Sequence, residues 1–298
     1  MSHYHSAASS RGQIKTKLVI TMFLNFLISI VELVGGVVSG SLSLLSDAIH
    51  NFSDGVAIIL SYTAIRLSEK PRTLKHTFGL KRAEILAAII NASTLIIISF
   101  FLIREAIERL SNPTPIAGTL MLSVATVGLL ANIIGTALLR KGSDKNLNLR
   151  AAYFHLLSDA VSSLGVIIGA AFIIVFKITW IDSALTIIIS LYILKEAYMI
   201  VKESVDVIMM STPPNIDITQ VQRAVEAVVG VKNIHHVHLW KMNDADIHFE
   251  AHIDVEDVPV SSTAAIRGEI ERCLRDTYEI NHSTLQFECD SCRRKGLI

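Results

Sequence analysis

Cysteine is scarce in this sequence of 298 residues: there are three, Cys273, Cys289 and Cys292, all near the C-terminal end. Three thiols cannot build a disulfide framework, so a reduced, cytosolic setting for that end is expected. Charge is also thin. Asp, Glu, Lys and Arg make up 18% of residues while 51% are hydrophobic, and the mean hydropathy of +0.49 excludes an ordinary soluble domain and fits a membrane protein with a soluble part. Two motifs are missing as well. No His-Glu-x-x-His occurs, which removes the basis for an intramembrane metalloprotease. No small-residue cleavage site follows the polar N-terminus "MSHYHSAASSRGQIKTK", so an uncleaved first helix is expected in place of a signal peptide.

What is present divides the chain in two. Formal net charge is zero, yet residues 1 to 201 carry 17 Lys and Arg against 11 Asp and Glu, and residues 202 to 298 carry 10 against 16. Six segments, about 18 to 38, 42 to 65, 85 to 103, 120 to 139, 151 to 174 and 181 to 201, have the roughly 20 apolar residues that a bilayer-spanning helix needs. Lys and Arg crowd two of the connections, with Arg66, Lys70, Arg72, Lys75, Lys81 and Arg82 in one and Arg140, Lys141, Lys145 and Arg150 in the other. The positive-inside rule places these loops, and both termini, in the cytoplasm. The opposite connections, "SGS" at 39 to 41, "SNPTPIAG" at 111 to 118 and "FKITW" at 176 to 180, are short and nearly uncharged.

After "STPPN" the pattern turns globular. A helix over 217 to 228, strands at 234 to 240 and 246 to 255, a helix over 261 to 276 and a strand at 283 to 288 give the order αββαβ, a split βαβ or ferredoxin-like unit. The expected architecture is therefore a cytoplasmic tail over residues 1–15, an all-α membrane domain of six transmembrane helices over 16–208, and a cytoplasmic α/β domain over 209–298.

Only two histidines, His50 and His155, lie inside the apolar spans, and each is followed four residues later by aspartate, in "HNFSD" and "HLLSD". Positions i and i+4 share one helix face. Two such helices side by side supply His50, Asp54, His155 and Asp159, the number and type of ligands of a tetrahedral Zn²⁺ site. An Asp at a helix centre costs about 2.5 to 3.5 kcal/mol on insertion scales, and no Lys or Arg lies deep in a span to offset it. A divalent cation, or protons in its absence, supplies the missing charge; helix-bridging polar pairs are the bland alternative. Asp47 shares that face nearer the span's start, suiting a pathway or capping role. Glu32 in the first span is open to a structural hydrogen bond or a place on the route.

The paired "HNFSD" and "HLLSD", the entry "SGSLSLLSDAIH", the connection "HTFGLKRAE" and the αββαβ tail resemble the cation diffusion facilitators, specifically the bacterial zinc exporters with two His-Asp pairs. The likeness runs from about residue 16 to 290. It implies a homodimeric antiporter in the bacterial inner membrane that exports Zn²⁺, with Cd²⁺ or Co²⁺ as further cargo, in exchange for protons. The transport ligands it implies are His50, Asp54, His155 and Asp159. Some members bind another metal in the connection after span 2; of the three positions, here Thr73, His76 and Leu80, only His76 matches.

In the tail, period-two alternation puts Val237 and Leu239 on one face of the first strand, with Ile247, Phe249, Ala251 and Ile253 on one face of the second. His236, His238, His248, Glu250 and His252 fall on the opposite, polar face. The resemblance implies cytoplasmic zinc ligands at His236, His252 and Glu288, and "CDSC" at 289 to 292 has the gap of a thiolate pair. His3 and His5 offer transient capture of metal at the other end.

Overall fold

The computed structural model describes residues 21, 23–143, 147–243, 246–292 and 296–298; His3 and His5 lie outside them. Six helices come first: α1 (Phe23–Ser39 as described), α2 (Leu42–Ser68), α3 (Ala83–Ser111), α4 (Gly118–Ser143), α5 (Leu147–Phe176) and α6 (Trp180–Ile208). In lipid no water satisfies backbone N–H and C=O groups, so long apolar runs close their hydrogen bonds internally as helices. Four of these, α3 to α6, contain segments long and apolar enough to cross a membrane by length and composition. The described part of α1 is shorter, and α2 has the length but gives up hydropathy to Asp47, His50, Asn51 and Asp54. Helices α3 and α6 run past their apolar stretches through Arg104–Ser111 and Lys202–Ile208.

The chain forms two compact units, residues 1–61 with 90–200, and residues 62–89 with 201–298. In the first unit, Leu44 of α2, Met121 and Ala125 of α4, and Val166, Ala170 and Ile173 of α5 form a closed apolar cluster. Large apolar side chains such as Phe100, Phe101, Val161 and Phe176 face outward, as lipid-facing residues do and as a water-soluble surface seldom does. At one end the Ala117 N–H donates to Ser39 O at 2.8 Å and Arg109 Nη1 to Gly40 O at 2.7 Å, locking the α1–α2 turn to the α3–α4 connection. Gly40 has φ +74, a conformation in which a Cβ is strained.

The second unit holds α7 (Ile218–Glu226), β1 (Val231–Lys241), β2 (Ile247–Val255), a 3-10 turn, α8 (Thr263–Tyr278) and β3 (His282–Glu288). The sheet order is β1-β2-β3, with β1 antiparallel and β3 parallel to the central β2. Asp217 caps α7 by accepting from the Thr219 N–H at 2.8 Å. Val221 and Val225 of α7 and Ile270 and Leu274 of α8 cover one sheet face, against Ile234, Val237, Phe249, Ala251 and Ile253. The αββαβ order stands as expected, with strand and helix ends displaced by a few residues.

Strand β1 carries an irregularity that alternation does not anticipate. His236 adopts φ +52, and the register with β2 shifts between His235 and His238. This is a β-bulge: one extra residue in the strand resets which side chains share a face. The N–H groups of His236 and Val237 donate to Gly296 O and Leu297 O at 3.1 and 2.8 Å, so the chain's last residues brace the bulge.

Candidate metal sites

Helices α2 and α5 bring the four expected membrane groups together pairwise. His50 Nε2 is 3.8 Å from Asp54 Oδ2, His155 Nε2 is 3.4 Å from the same oxygen, and His155 Nε2 is 3.6 Å from Asp159 Oδ2. The His50 and His155 rings lie edge to face with centroids 6.3 Å apart. Bonds of about 2.0 to 2.1 Å at tetrahedral angles separate neighbouring ligand atoms by roughly 3.3 Å, so small side-chain movements would seat these contacts on one ion. Asp54 Oδ2, Asp159 Oδ2 and His50 Nδ1 are buried without hydrogen-bond partners.

Access is graded along the helices. Side-chain exposure falls from 40% at His155 through 28% at Asp54 and 18% at His50 to 2% at Asp159. A cavity of about 270 Å³ lined by Thr21, Asn25, Asp54, Leu139 and His155 reaches one side of the group. Another of about 360 Å³, lined by His50, Asp159, Ser162 and Tyr192, flanks it. Asp47 stands apart from these four: it accepts from Ser162 Oγ at 2.5 Å and Ser163 Oγ at 3.4 Å, which clamps α2 to α5.

A tighter cluster sits in the α/β unit. One donor atom each from His235, His252, Glu288 and Cys292 lies within 4.8 Å of all the others, the sole such group of three or more among the described residues. His252 Nδ1 is 3.5 Å from Glu288 Oε2, and Cys292 Sγ is 3.7 Å from His252 Nδ1 and 3.6 Å from Glu288 Oε2. A tetrahedral zinc site with a longer Zn–S bond separates sulfur from its neighbours by about 3.6 Å. His235 Nε2 and Glu288 Oε1 are 2.7 Å apart, yet neither makes a hydrogen bond of acceptable geometry and both are buried. That separation lies inside the roughly 3.3 Å edge of a zinc tetrahedron, so the pair would part slightly to admit an ion. The other ring nitrogen of His235 lies 3.0 Å from Asn233 Oδ1, the outer hydrogen bond that fixes a ligand imidazole's tautomer.

This placement differs from the alternation-based one. His252 and Glu288 converge, but His236 is exposed, with its ring centroid 4.9 Å from that of His252. The bulge puts His235 opposite His252. The CDSC pair does not act as a unit either: Cys292 joins the cluster while Cys289 is exposed. Asp254 Oδ1 accepts from the Asp290 N–H at 3.0 Å, and this turn aims Cys292 back at the sheet. His76 lies exposed, and the Thr73 hydroxyl accepts from its backbone N–H at 3.0 Å.

Comparison with known proteins decides the family. Residues 18–209 match the cation efflux transmembrane domain, and residues 213–289 match the cytoplasmic domain of cation efflux proteins. The chain belongs to the cation efflux family. Its relatives include the zinc transporter ZitB of Escherichia coli, 38% identical over 98% of this chain and 94% of the relative. A cadmium, cobalt and zinc/H(+)-K(+) antiporter of Bacillus subtilis is 37% identical over 100% and 95%. The metal cation efflux system protein CzcD of Cupriavidus metallidurans is 35% identical over 98% and 91%. This cation efflux protein is accordingly an integral membrane transporter of metal cations and not an enzyme.

One residue important to this efflux protein's frame had no signal in spacing or hydropathy. Asp182, at the start of α6, is buried and accepts from Ser41 Oγ at 2.6 Å, Leu42 N at 2.8 Å, Ser43 N at 3.2 Å and Ser43 Oγ at 2.6 Å. It satisfies the otherwise orphaned first N–H groups of α2 and places negative charge at that helix's positive end. The helix that carries His50 and Asp54 is thus pinned at one terminus by a side chain 140 residues away.

Proposed function

We propose that the protein exports Zn²⁺, with Cd²⁺ and Co²⁺ as further cargo, in exchange for protons, through a site formed by His50, Asp54, His155 and Asp159. The observation that carries this reading is the run of 3.4 to 3.8 Å contacts joining these groups across α2 and α5, close to the edges of a zinc tetrahedron. Nitrogen donors bias the set away from Mg²⁺ and Ca²⁺, which favour all-oxygen shells. An imidazole with an ordinary pKa near 6.5 exchanges proton for metal around neutral pH. Metal entering from one side must displace protons, and protons entering from the other displace metal, which is antiport chemistry. Alternating exposure of the site by rocking of helices supplies the transport step. The names of relatives that carry zinc, cadmium and cobalt support the cargo.

The same reading assigns residues 1–15 to a cytoplasmic tail, 16–208 to the transmembrane domain and 209–298 to a cytoplasmic domain that joins two copies into a homodimer in a bacterial inner membrane. His235, His252, Glu288 and Cys292 fit a resident Zn²⁺ in that domain: two imidazoles, a carboxylate and a thiolate with two buried unbonded atoms. Bound there, zinc would cross-link β1, β2 and the segment after β3 and steady the domain. A membrane metal sensor is the competing reading, favoured by that same cluster, and it requires metal binding without turnover.

Zinc uptake into proteoliposomes under an imposed pH gradient tests the proposal. The parent should show flux driven by the gradient, and Asp54→Ala and Asp159→Ala should be silent. Parental flux in either variant would refute the four-ligand assignment, and zinc binding by the parent without flux would favour the sensor.

A further inference from the structure

Of the four residues in the cytoplasmic cluster, only Cys292 can be oxidised reversibly, and a second thiol stands three residues before it. Cys292 is half-buried, with Sγ 3.7 Å from His252 Nδ1 and 3.6 Å from Glu288 Oε2. Cys289 is exposed and offers no donor atom to the cluster. The remaining thiol, Cys273, sits in α8 and is likewise outside it.

Between the two thiols the chain bends. Strand β3 ends at Glu288, Asp290 takes φ +49, and its N–H donates to Asp254 Oδ1 at 3.0 Å, while Ser291 Oγ donates to the Cys289 carbonyl at 3.3 Å. Three residues span at most about 11 Å when fully extended, and the bend shortens that distance. Closing it to a full four-residue turn would bring the two Cα atoms within the roughly 7 Å that a disulfide needs. Cys292 thus has two alternative uses, the cluster and Cys289. One sulfur cannot serve both, since a disulfide sulfur has lost the thiolate charge that holds a metal.

We propose that Cys289 and Cys292 form a thiol–disulfide switch that empties the cytoplasmic cluster of its metal when low-molecular-weight disulfides accumulate. The proposal rests on the zinc reading of that cluster given above. The exposed Cys289, as thiolate, attacks a disulfide RSSR, forming a mixed Cys289–S–SR bond and expelling RS⁻. Cys292 then attacks the Cys289 sulfur, expelling the second RS⁻ and closing the internal disulfide. Two protein thiols are oxidised and one RSSR is reduced to two RSH. The two thiol protons end on the leaving thiolates; where zinc has already displaced the Cys292 proton, the second RSH takes its proton from water. Two imidazoles and one carboxylate then remain for the ion, and hold it less firmly. In a reducing cytosol both thiols persist, so the cluster keeps its thiolate until the redox poise changes.

The test uses the full chain in detergent, carrying Asp159→Ala to silence the membrane site, with oxidised glutathione as the disulfide and Zn²⁺ as probe. Intact mass and peptide mapping report the internal disulfide, and equilibrium zinc titration reports the cluster. Treatment should link Cys289 to Cys292 and weaken zinc binding by on the order of tenfold or more, and dithiothreitol should reverse both changes. Cys289→Ser should bind zinc like the reduced parent and keep that affinity after treatment, while Cys273→Ser should respond as the parent does. A treated parent that retains its zinc affinity overturns the switch. So does an equal loss in treated Cys289→Ser, since Cys292 would then react alone, and so does a missing response in Cys273→Ser, which would move the disulfide to α8. Reduced Cys292→Ser that binds zinc as tightly as the reduced parent sinks the zinc reading of Cys292 instead.

Discussion

Two aspartates four residues after histidines gave this molecule's chemistry its first outline, and other single side chains correct and extend it. His235 and His236 are neighbours in sequence but not in role: the former is 1% exposed and 2.7 Å from Glu288, the latter faces outward. On the proposed zinc site, removing one of its four residues should weaken zinc binding by on the order of tenfold or more, since even outer-shell changes cost 10- to 100-fold. Equilibrium zinc titration of the full chain, with Asp159→Ala to silence the membrane site, should show this for His235→Ala and Cys292→Ser, with His236→Ala and Cys289→Ser near the parent. Equal losses in His235→Ala and His236→Ala would overturn the assignment. Asp182 carries a different kind of weight. Asp182→Ala leaves two N–H groups and one hydroxyl of α2, and the hydroxyl of Ser41 just before it, without their acceptor, and loss of a cap plus a buried acceptor should cost about 2 to 4 kcal/mol. Thermal unfolding in detergent should register that as a lowered midpoint; an unchanged midpoint would mean water replaces the carboxylate.

At the scale of elements, the antiparallel run of α2 beside α5 sets the order of the interior. Asp54 meets His155, and Asp47 meets Ser162 and Ser163 further along. Helix α1 seats Glu32 against α4 at Gly128, where an added Cβ would collide with Glu32 Oε1, the small-residue contact by which membrane helices approach closely. Gly128→Ala is therefore expected to displace Glu32 and break the hydrogen bond it accepts from Asn51, lowering the thermal unfolding midpoint in detergent. A parental midpoint would show that the Glu32 side chain relaxes without consequence. In the sheet, the bulge is the corresponding device. One residue at φ +52 exchanges which histidine stands opposite His252, a change no period-two pattern predicts.

For the molecule as a whole, the division into units differs from a simple membrane-then-tail partition. The connection after α2 groups with the α/β domain. Lys81 Nζ lies 2.5 Å from Asp246 Oδ2, and Phe78 packs edge-on against His248 at 5.4 Å. His248 also stacks on Trp240 at 5.5 Å and lies 4.4 Å from His282. Burial, then His282, hold the His248 imidazole below its ordinary 6.5, with Lys81 and Arg72 adding to the effect and Asp246 opposing it. The folded unit thus binds fewer protons here than the unfolded chain, so its stability rises with pH across this window and is lost as pH falls below about 6.5 toward the lowered value. Trp240 fluorescence of the full chain should report an acid-induced loosening between pH 7 and 5. His248→Phe should flatten that response. An unchanged response in the variant would move the transition to other groups.

The sequence by itself determined what depends on local geometry. Apolar runs of bilayer length dictate helices because lipid offers the backbone no other partner. A four-residue gap puts His and Asp on one face wherever the helix ends up, and the αββαβ order follows from changes of period. The tertiary structure alone decided what depends on residues far apart in the chain. Asp182 reaches α2 across 140 positions, Glu32 reaches Asn51 from another helix, and Cys292 lies beside His252 after a turn in which the Asp290 N–H donates to Asp254. Such contacts arise from packing between elements, whose registers leave no periodic trace along the chain, and the inserted residue in β1 shows how a single backbone torsion changes which histidine faces His252.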